Sequence, residues 1–84
     1  MTRYVVVWPK GAQDDLAELW ISARDRKAVT AAAQVIDIEL SRDAETKGVE
    51  LREGLRAFFT PPLRILFTVD EGDCVVEVVR VRVL

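Results

Sequence analysis

The rhythm of apolar and polar positions changes twice along this chain. Arg3 to Trp8 is rich in Val with Tyr and Trp, a strand composition, and Pro9 and Gly11 close it. A helical period follows. Ala12, Leu16, Leu19, Trp20 and Ala23 form one apolar stripe that predicts a helix over Asp14 to Arg26. Its acidic residues come early and its basic ones late, the order a helix dipole favours. A second helix is predicted from about Ala28 to Arg42. Val29, Ala32, Ala33, Ile36 and Leu40 make one stripe, and Ala31, Val35 and Ile38 a second, so one of its faces is buried and the other is free for a partner or more core. The short connection predicts an antiparallel helical hairpin.

After the polar stretch Asp43 to Gly48 the period becomes two. Val49, Leu51, Leu55, Ala57 and Phe59 share one parity, and Gly54 marks a bulge or bend. Pro61-Pro62 interrupts, then Leu63, Ile65, Phe67 and Val69 alternate with Arg64, Leu66, Thr68 and Asp70. Asp70-Glu71-Gly72-Asp73 has turn composition, and Cys74 to Val83 reads as an interior strand. The predicted order is β-α-α-β-β-β: an α+β fold of two layers, with the helical hairpin on one face of an antiparallel four-stranded sheet.

Size and composition narrow the possibilities. The 84 residues are expected to form one domain, residues 1–84, which buries only about 60–65% of the surface of its unfolded form. Half the residues are apolar and 31% charged, a globular mixture rather than a disordered one. No apolar run approaches the roughly 18–20 residues that span a bilayer, so no membrane partner is expected. The few apolar residues before Pro9 do not resemble a secretory signal. Cys74 has no second cysteine to pair with and reads as a small buried hydrophobe. A reducing cytoplasm is the expected location. The formal charge of −2 and the pI of about 5.1 mean that any nucleic-acid footprint must be a local cluster.

Parity supplies such a cluster. If Leu51, Leu55, Leu63, Ile65, Phe67, Val79, Val81 and Val83 pack under the helices, the even positions face away, and these include Arg52, Arg56, Arg64, Arg80 and Arg82. Slipping the register by one would bury the charges at high cost. Two readings of this face stay open. It is a solvated surface whose long Arg stems shield Phe58 and Leu66, or it binds anions, since guanidinium forks match phosphate and carboxylate.

Elsewhere the chemistry is sparse. Trp8 and Trp20 read as core. Asp14-Asp15 reads as a helix start rather than a metal site, and no metal or other cofactor is expected. There is no glycine-rich phosphate loop, no Ser-His-Asp set and no histidine, the commonest general acid–base at neutral pH.

Over nearly its whole length the chain resembles the RelE/ParE superfamily of type II toxin–antitoxin toxins. The resemblance lies in Val7-Trp8-Pro9 leading into Ala12 to Trp20, Ile36-Asp37 with Leu40 ahead of Gly48, Leu51 to Arg56, Pro62 to Asp70, and Val75 to Val81. Its most telling part is the Leu63-Arg64-Ile65-Leu66-Phe67 strand, similar to an Arg-aliphatic-aliphatic-aromatic strand of that family. The resemblance implies a cognate antitoxin protein that wraps the toxin with an extended or helical segment. It implies one of two targets: mRNA cut on the ribosome, as in RelE-like members, or DNA gyrase, as in ParE-like members. In the RelE-like catalysts a cationic set on the open sheet face assists attack of a 2′-hydroxyl on the adjacent phosphate. Arg64 stands at the position of one such Arg, and Arg52 and Arg56 near other basic positions.

Catalytic members usually continue beyond the last strand with a His, Arg or Tyr, whereas this sequence stops at Leu84. Glu50, of the same parity as the arginines, could serve as a base but has no evident acid partner. The favoured expectation is a toxin that occupies its target through the arginine face. The alternatives are an endoribonuclease using Arg64 with Arg80 or Arg82, and a non-toxic interaction module that dimerises through the second stripe of its second helix.

Overall fold

The computed structural model describes residues 3–84. In chain order its elements are β1 (Val5–Val7), α1 (Lys10–Ser22), α2 (Arg26–Asp43), β2 (Val49–Arg52), β3 (Leu55–Thr60), β4 (Leu63–Asp70) and β5 (Val75–Val83). Helix α1 starts four residues before Asp14, because Pro9, at φ −58°, stands at its N-cap and the Gln13 amide donates to Trp8 O at 2.7 Å. It ends at Ser22, where Arg26 Nε and Nη2 reach back to Trp20 O and Ile21 O at 3.1 and 3.0 Å and satisfy terminal carbonyls. The Asp25 side chain then caps α2, accepting from Ala28 N at 3.1 Å. Trp20 Nε1 donates to Thr30 Oγ1 and Trp8 Nε1 to Asp37 Oδ1, at 3.2 and 2.6 Å, pairings that run in opposite directions along the two helices. The helical hairpin is therefore antiparallel, as its short connection predicts. None of the helices described is long and apolar enough to cross a membrane.

The sheet has five strands, not four, in the order β1-β5-β4-β3-β2. The stretch from Val49 to Phe59, expected as one strand with a bend, folds back on itself at Gly54, whose φ of +80° makes it a turn. The sheet is also mixed rather than wholly antiparallel, because β1 runs parallel to β5, pairing Val5 with Val75 and Val7 with Glu77. Gly48 enters β2 at φ +70°, and a Cβ there would lie 2.0 Å from Ala57 O, so the tight entry admits only glycine.

Both helices lie on one face, α1 across β5 and α2 over β1, β3 and β4. Val29, Ala32, Ile36 and Leu40, the first stripe of α2, are buried against Leu63, Ile65, Phe67, Val76, Val78 and Val81. The second stripe is uncovered, with Val35 and Ile38 exposed.

The alternation breaks in two places. Inward-facing Ile65 and Phe67 stand opposite Phe58 and Arg56, so it is the even positions of β3 that face the helices, and Leu55, Ala57 and Phe59 that face out. The turn at Gly54 resets the phase. In β5, Phe67 pairs with Val78 but Leu66 pairs with Arg80, so Val79 is an extra residue in a bulge. Val76 and Val78 point inward before it and Val81 after it. Leu51, Leu55, Val79 and Val83 were expected in the core. Leu51, Val79 and Val83 are exposed instead, and Leu55 is half-buried on the outer face.

Of the two tryptophans expected in the core, one is largely outside it and the other packs against it. Trp20 is 41% exposed, its ring lying under the Arg26 guanidinium at 4.6 Å. Trp8 is half-buried, packing against the core with its indole N–H turned outward to Asp37. Cys74 is likewise half-buried, in the turn before β5 with a φ of 54°.

These placements predict unequal costs. Ile36→Ala should lower unfolding free energy by about 2–5 kcal/mol, and Trp20→Ala by only about 1 kcal/mol, both read from urea titrations. A second expectation concerns Tyr4, which is buried and donates its phenol to the Glu45 carboxylate. That hydrogen bond, then burial and the Glu45 charge, push the phenol from 10.0 up to about 12. The folded state holds this proton more tightly, so its contribution is complete below the unfolded value and disappears as pH rises from 10.0 to about 12. Melting temperatures over that interval should fall less steeply in Tyr4→Phe.

Candidate functional site

Among the described residues, no second layer covers the face of the sheet turned away from the helices. Cross-strand pairing arranges its side chains in rows. Arg82, Arg64 and Phe59 form the first, and Arg80, Leu66, Ala57 and Val49 the second. Glu77, Thr68, Leu55 and Arg52 form the third. Four of the five arginines predicted for this face are therefore on it. Arg64 and Arg82 are direct cross-strand partners, Arg80 lies one row on, and Arg52 stands alone on the edge strand.

Arg56 is not on this face. It shares the helix side with Phe67 and spends its guanidinium on the backbone, Nε to Lys47 O at 2.9 Å and Nη2 to Gly48 O at 3.3 Å. It ties down the connection between α2 and β2. Glu50 is its cross-strand partner, so the carboxylate considered as a base also faces the helix side, away from Arg64. The reset at Gly54 moves both.

Arg80 and Arg82 reach the outer face only because of the Val79 bulge. Continued from Val76 and Val78, strict alternation would turn both into the core at prohibitive cost. A carboxylate that the sequence marked only as a helix start holds this segment in place. Among the described residues, no strand lies beside the outer edge of β5 beyond Glu77. There Asp15, on α1, accepts from Val81 N at 3.2 Å and from Arg82 Nη1 at 3.0 Å. One oxygen thus covers an open sheet edge and compensates one arginine. Among the described residues, Arg64 and Arg80 have no ion-pair partner, and both are exposed. Like charges on facing strands repel, so Asp15 lowers the cost of setting Arg82 against Arg64. Asp14 pairs separately with Lys10, and no group of His, Cys, Asp or Glu able to hold a metal occurs among the described residues.

A second feature lies on the opposite side of the molecule. The helices part to leave an apolar groove of about 620 Å³ between Trp8 and Trp20, lined by Leu16, Ile21, Val29 and Ala33. Its apolar α2 wall comes from Val29 and Ala33 of the first stripe, and none of Ala31, Val35 and Ile38 lines it. The two indoles read as core because size and apolarity do not reveal on which side of a helix pair a ring ends up.

A family model described as the ParE toxin of type II toxin-antitoxin system, parDE, matches residues 6–83. No curated protein matches the chain. Three solved structures are similar in fold. A chain of the toxin-antitoxin complex RelBE2 from Mycobacterium tuberculosis is 23% identical with a TM-score of 0.83, the match covering 99% of this chain and 100% of that one. A chain of the chromosomal ParDE TA system from P. aeruginosa is 15% identical with a TM-score of 0.65, covering 98% and 97%. A double arginine-to-alanine mutant of E. coli toxin RelE in the free state is 13% identical with a TM-score of 0.69, covering 96% and 82%. With the family model spanning nearly every residue and the helical hairpin on its sheet matching these folds, the chain belongs to the ParE toxin family, within the RelE/ParE superfamily of type II toxin–antitoxin toxins.

Proposed function

We propose that this protein arrests growth by occupying a macromolecular target through its outer sheet face, and that a cognate antitoxin silences it. The observation that carries this reading is the assembly of Arg64, Arg80 and Arg82 on one open surface of a protein whose net charge is −2. An ordinary solvated face would not need a bulge and a helix-borne carboxylate to present two of its arginines. The antitoxin partner is supported by the interhelical groove, whose apolar lining would reward a partner's apolar side chains. The ribosome with its mRNA and DNA gyrase are the candidate targets that the family suggests.

Occupancy is favoured over RNA cleavage because no acid–base group shares the row of Arg64 and Arg82, and Glu77, the nearest carboxylate on this face, lies two rows away. Glu50 is on the other side of the sheet and the chain has no histidine. Loss of a general acid or base typically costs about 10²–10⁴ in rate. The arginine cluster could still stabilise a phosphorane, and the decisive experiment separates the two.

Inducible expression of the protein alone should stop growth and leave transcripts intact, and co-expression of its cognate antitoxin should restore growth. Arg64→Ala should relieve the arrest with an unchanged melting temperature. Transcripts cut in an Arg64-dependent way would instead identify an endoribonuclease. Harmless overexpression with a stable dimer in solution would identify a non-toxic module that pairs through Ala31, Val35 and Ile38. Arg56→Ala should behave oppositely to Arg64→Ala. Losing its two backbone hydrogen bonds should cost about 1.5–3 kcal/mol of stability, measured by urea unfolding, while the folded fraction still arrests growth.

A further inference from the structure

We propose that the outer sheet face receives an acidic amphipathic segment of a protein target, and not a nucleic-acid strand. This deepens the function proposed above and rests on it. The first ground is what lies between the arginines. Phe59 is 48% exposed and shares a row with Arg64, and Leu66 stands beside Arg80. Ala57 is only 2% exposed although it lies on this open face, in the row between Val49 and Leu66. Leu55 completes a continuous apolar centre with cations at its margin. A phosphate backbone gains little from burying such a centre, whereas a segment with Leu, Ile or Phe on one side gains its area.

The second ground is how charge is distributed. The face is bipolar along its strands. Along β4 and β5, Arg82, Arg64 and Arg80 occupy one end, while Glu77, and Asp70 two positions past Thr68, occupy the other, with Arg52 apart on the edge strand β2. A polyanion laid along the strands would leave the arginines and run directly over these carboxylates. A segment with carboxylates at one end only, placed over Arg64 and Arg80, meets no such repulsion. The overall charge of −2 further disfavours a ligand that carries one negative charge per nucleotide.

Arg64 and Arg80 supply the anchors, being exposed and unpaired among the described residues, while Arg82 is already engaged by Asp15. The incoming carboxylates then relieve the repulsion between facing guanidiniums, which ties affinity to both charge and apolar complementarity.

The test uses the isotope-labelled full chain and three probes. These are a short peptide with a Leu/Phe stripe and glutamates clustered at one end, a scrambled peptide of the same composition, and single-stranded oligouridylate RNA. The amphipathic peptide should shift the amide resonances of Phe59, Leu66 and Arg80 saturably at up to millimolar concentration. Arg64→Ala and Phe59→Ser should each weaken it about tenfold. The scrambled peptide and the RNA should bind more weakly. The proposal is overturned if RNA binds more tightly than the peptide, or if scrambling changes nothing. It also fails if the shifts map to the interhelical groove, if the free protein self-associates through this face, or if no probe perturbs it. Should any of these occur while Arg64→Ala still relieves growth arrest, only the acidic segment is withdrawn. Arrest that persists in Arg64→Ala sinks the underlying reading instead.

Discussion

Strand β5 is gripped from both sides along one half of its length and from one side only along the other, and the consequences run through the whole molecule. Its first half lies between β1 and β4 and sends Val76 and Val78 into the core. Its second half keeps β4 but, among the described residues, has no strand on its other edge. An extra residue at Val79 separates the halves and reverses the phase, so Val81 can be buried while Arg80 and Arg82 stay in water. Burying two guanidiniums would cost far more than a local break in a ladder of hydrogen bonds. Asp15 completes the device by taking the Val81 amide that a missing neighbour would have used.

The two faces of the domain consequently have different chemistry. The helical side buries the aliphatic core and, where α1 and α2 part, leaves an apolar groove with an indole at each end. The sheet side carries a cationic corner, an apolar centre and, at the far end of β4 and β5, the carboxylates of Glu77 and Asp70, with Arg52 apart on the edge strand. Asp15 belongs to the helical layer yet sets the charge of the sheet layer, since it compensates Arg82 and leaves Arg64 and Arg80 free among the described residues. Arg56 makes the reverse contribution, a strand residue that fastens the chain leaving α2.

Much of this was legible beforehand. The stripe of Val29, Ala32, Ile36 and Leu40 located the buried side of α2, because a period near 3.6 leaves few ways to hide four apolar groups together. The alternation from Leu63 to Phe67 located the inner side of β4 and put Arg64 outside. Errors arose where a periodic pattern was carried across a phase change. A bend and a reversal at Gly54 have the same composition, and only the reversal turns Arg56 and Glu50 toward the helices. Val79 carries no mark of a bulge at all, sitting in a run of valines that satisfies either register.

The amino-acid order alone determined the element types, the helical hairpin and the α+β class, because local period and residue shape act over a few positions at a time. Tertiary structure decided the parallel pairing of β1, the groove between the indoles, the role of Asp15, and which arginines share a surface. Each of these depends on residues brought together from distant parts of the chain, Asp15 and Arg82 being 67 positions apart. The energy that chooses among such meetings belongs to the packed whole, where a buried charge or an unpaired amide outweighs what any single segment prefers.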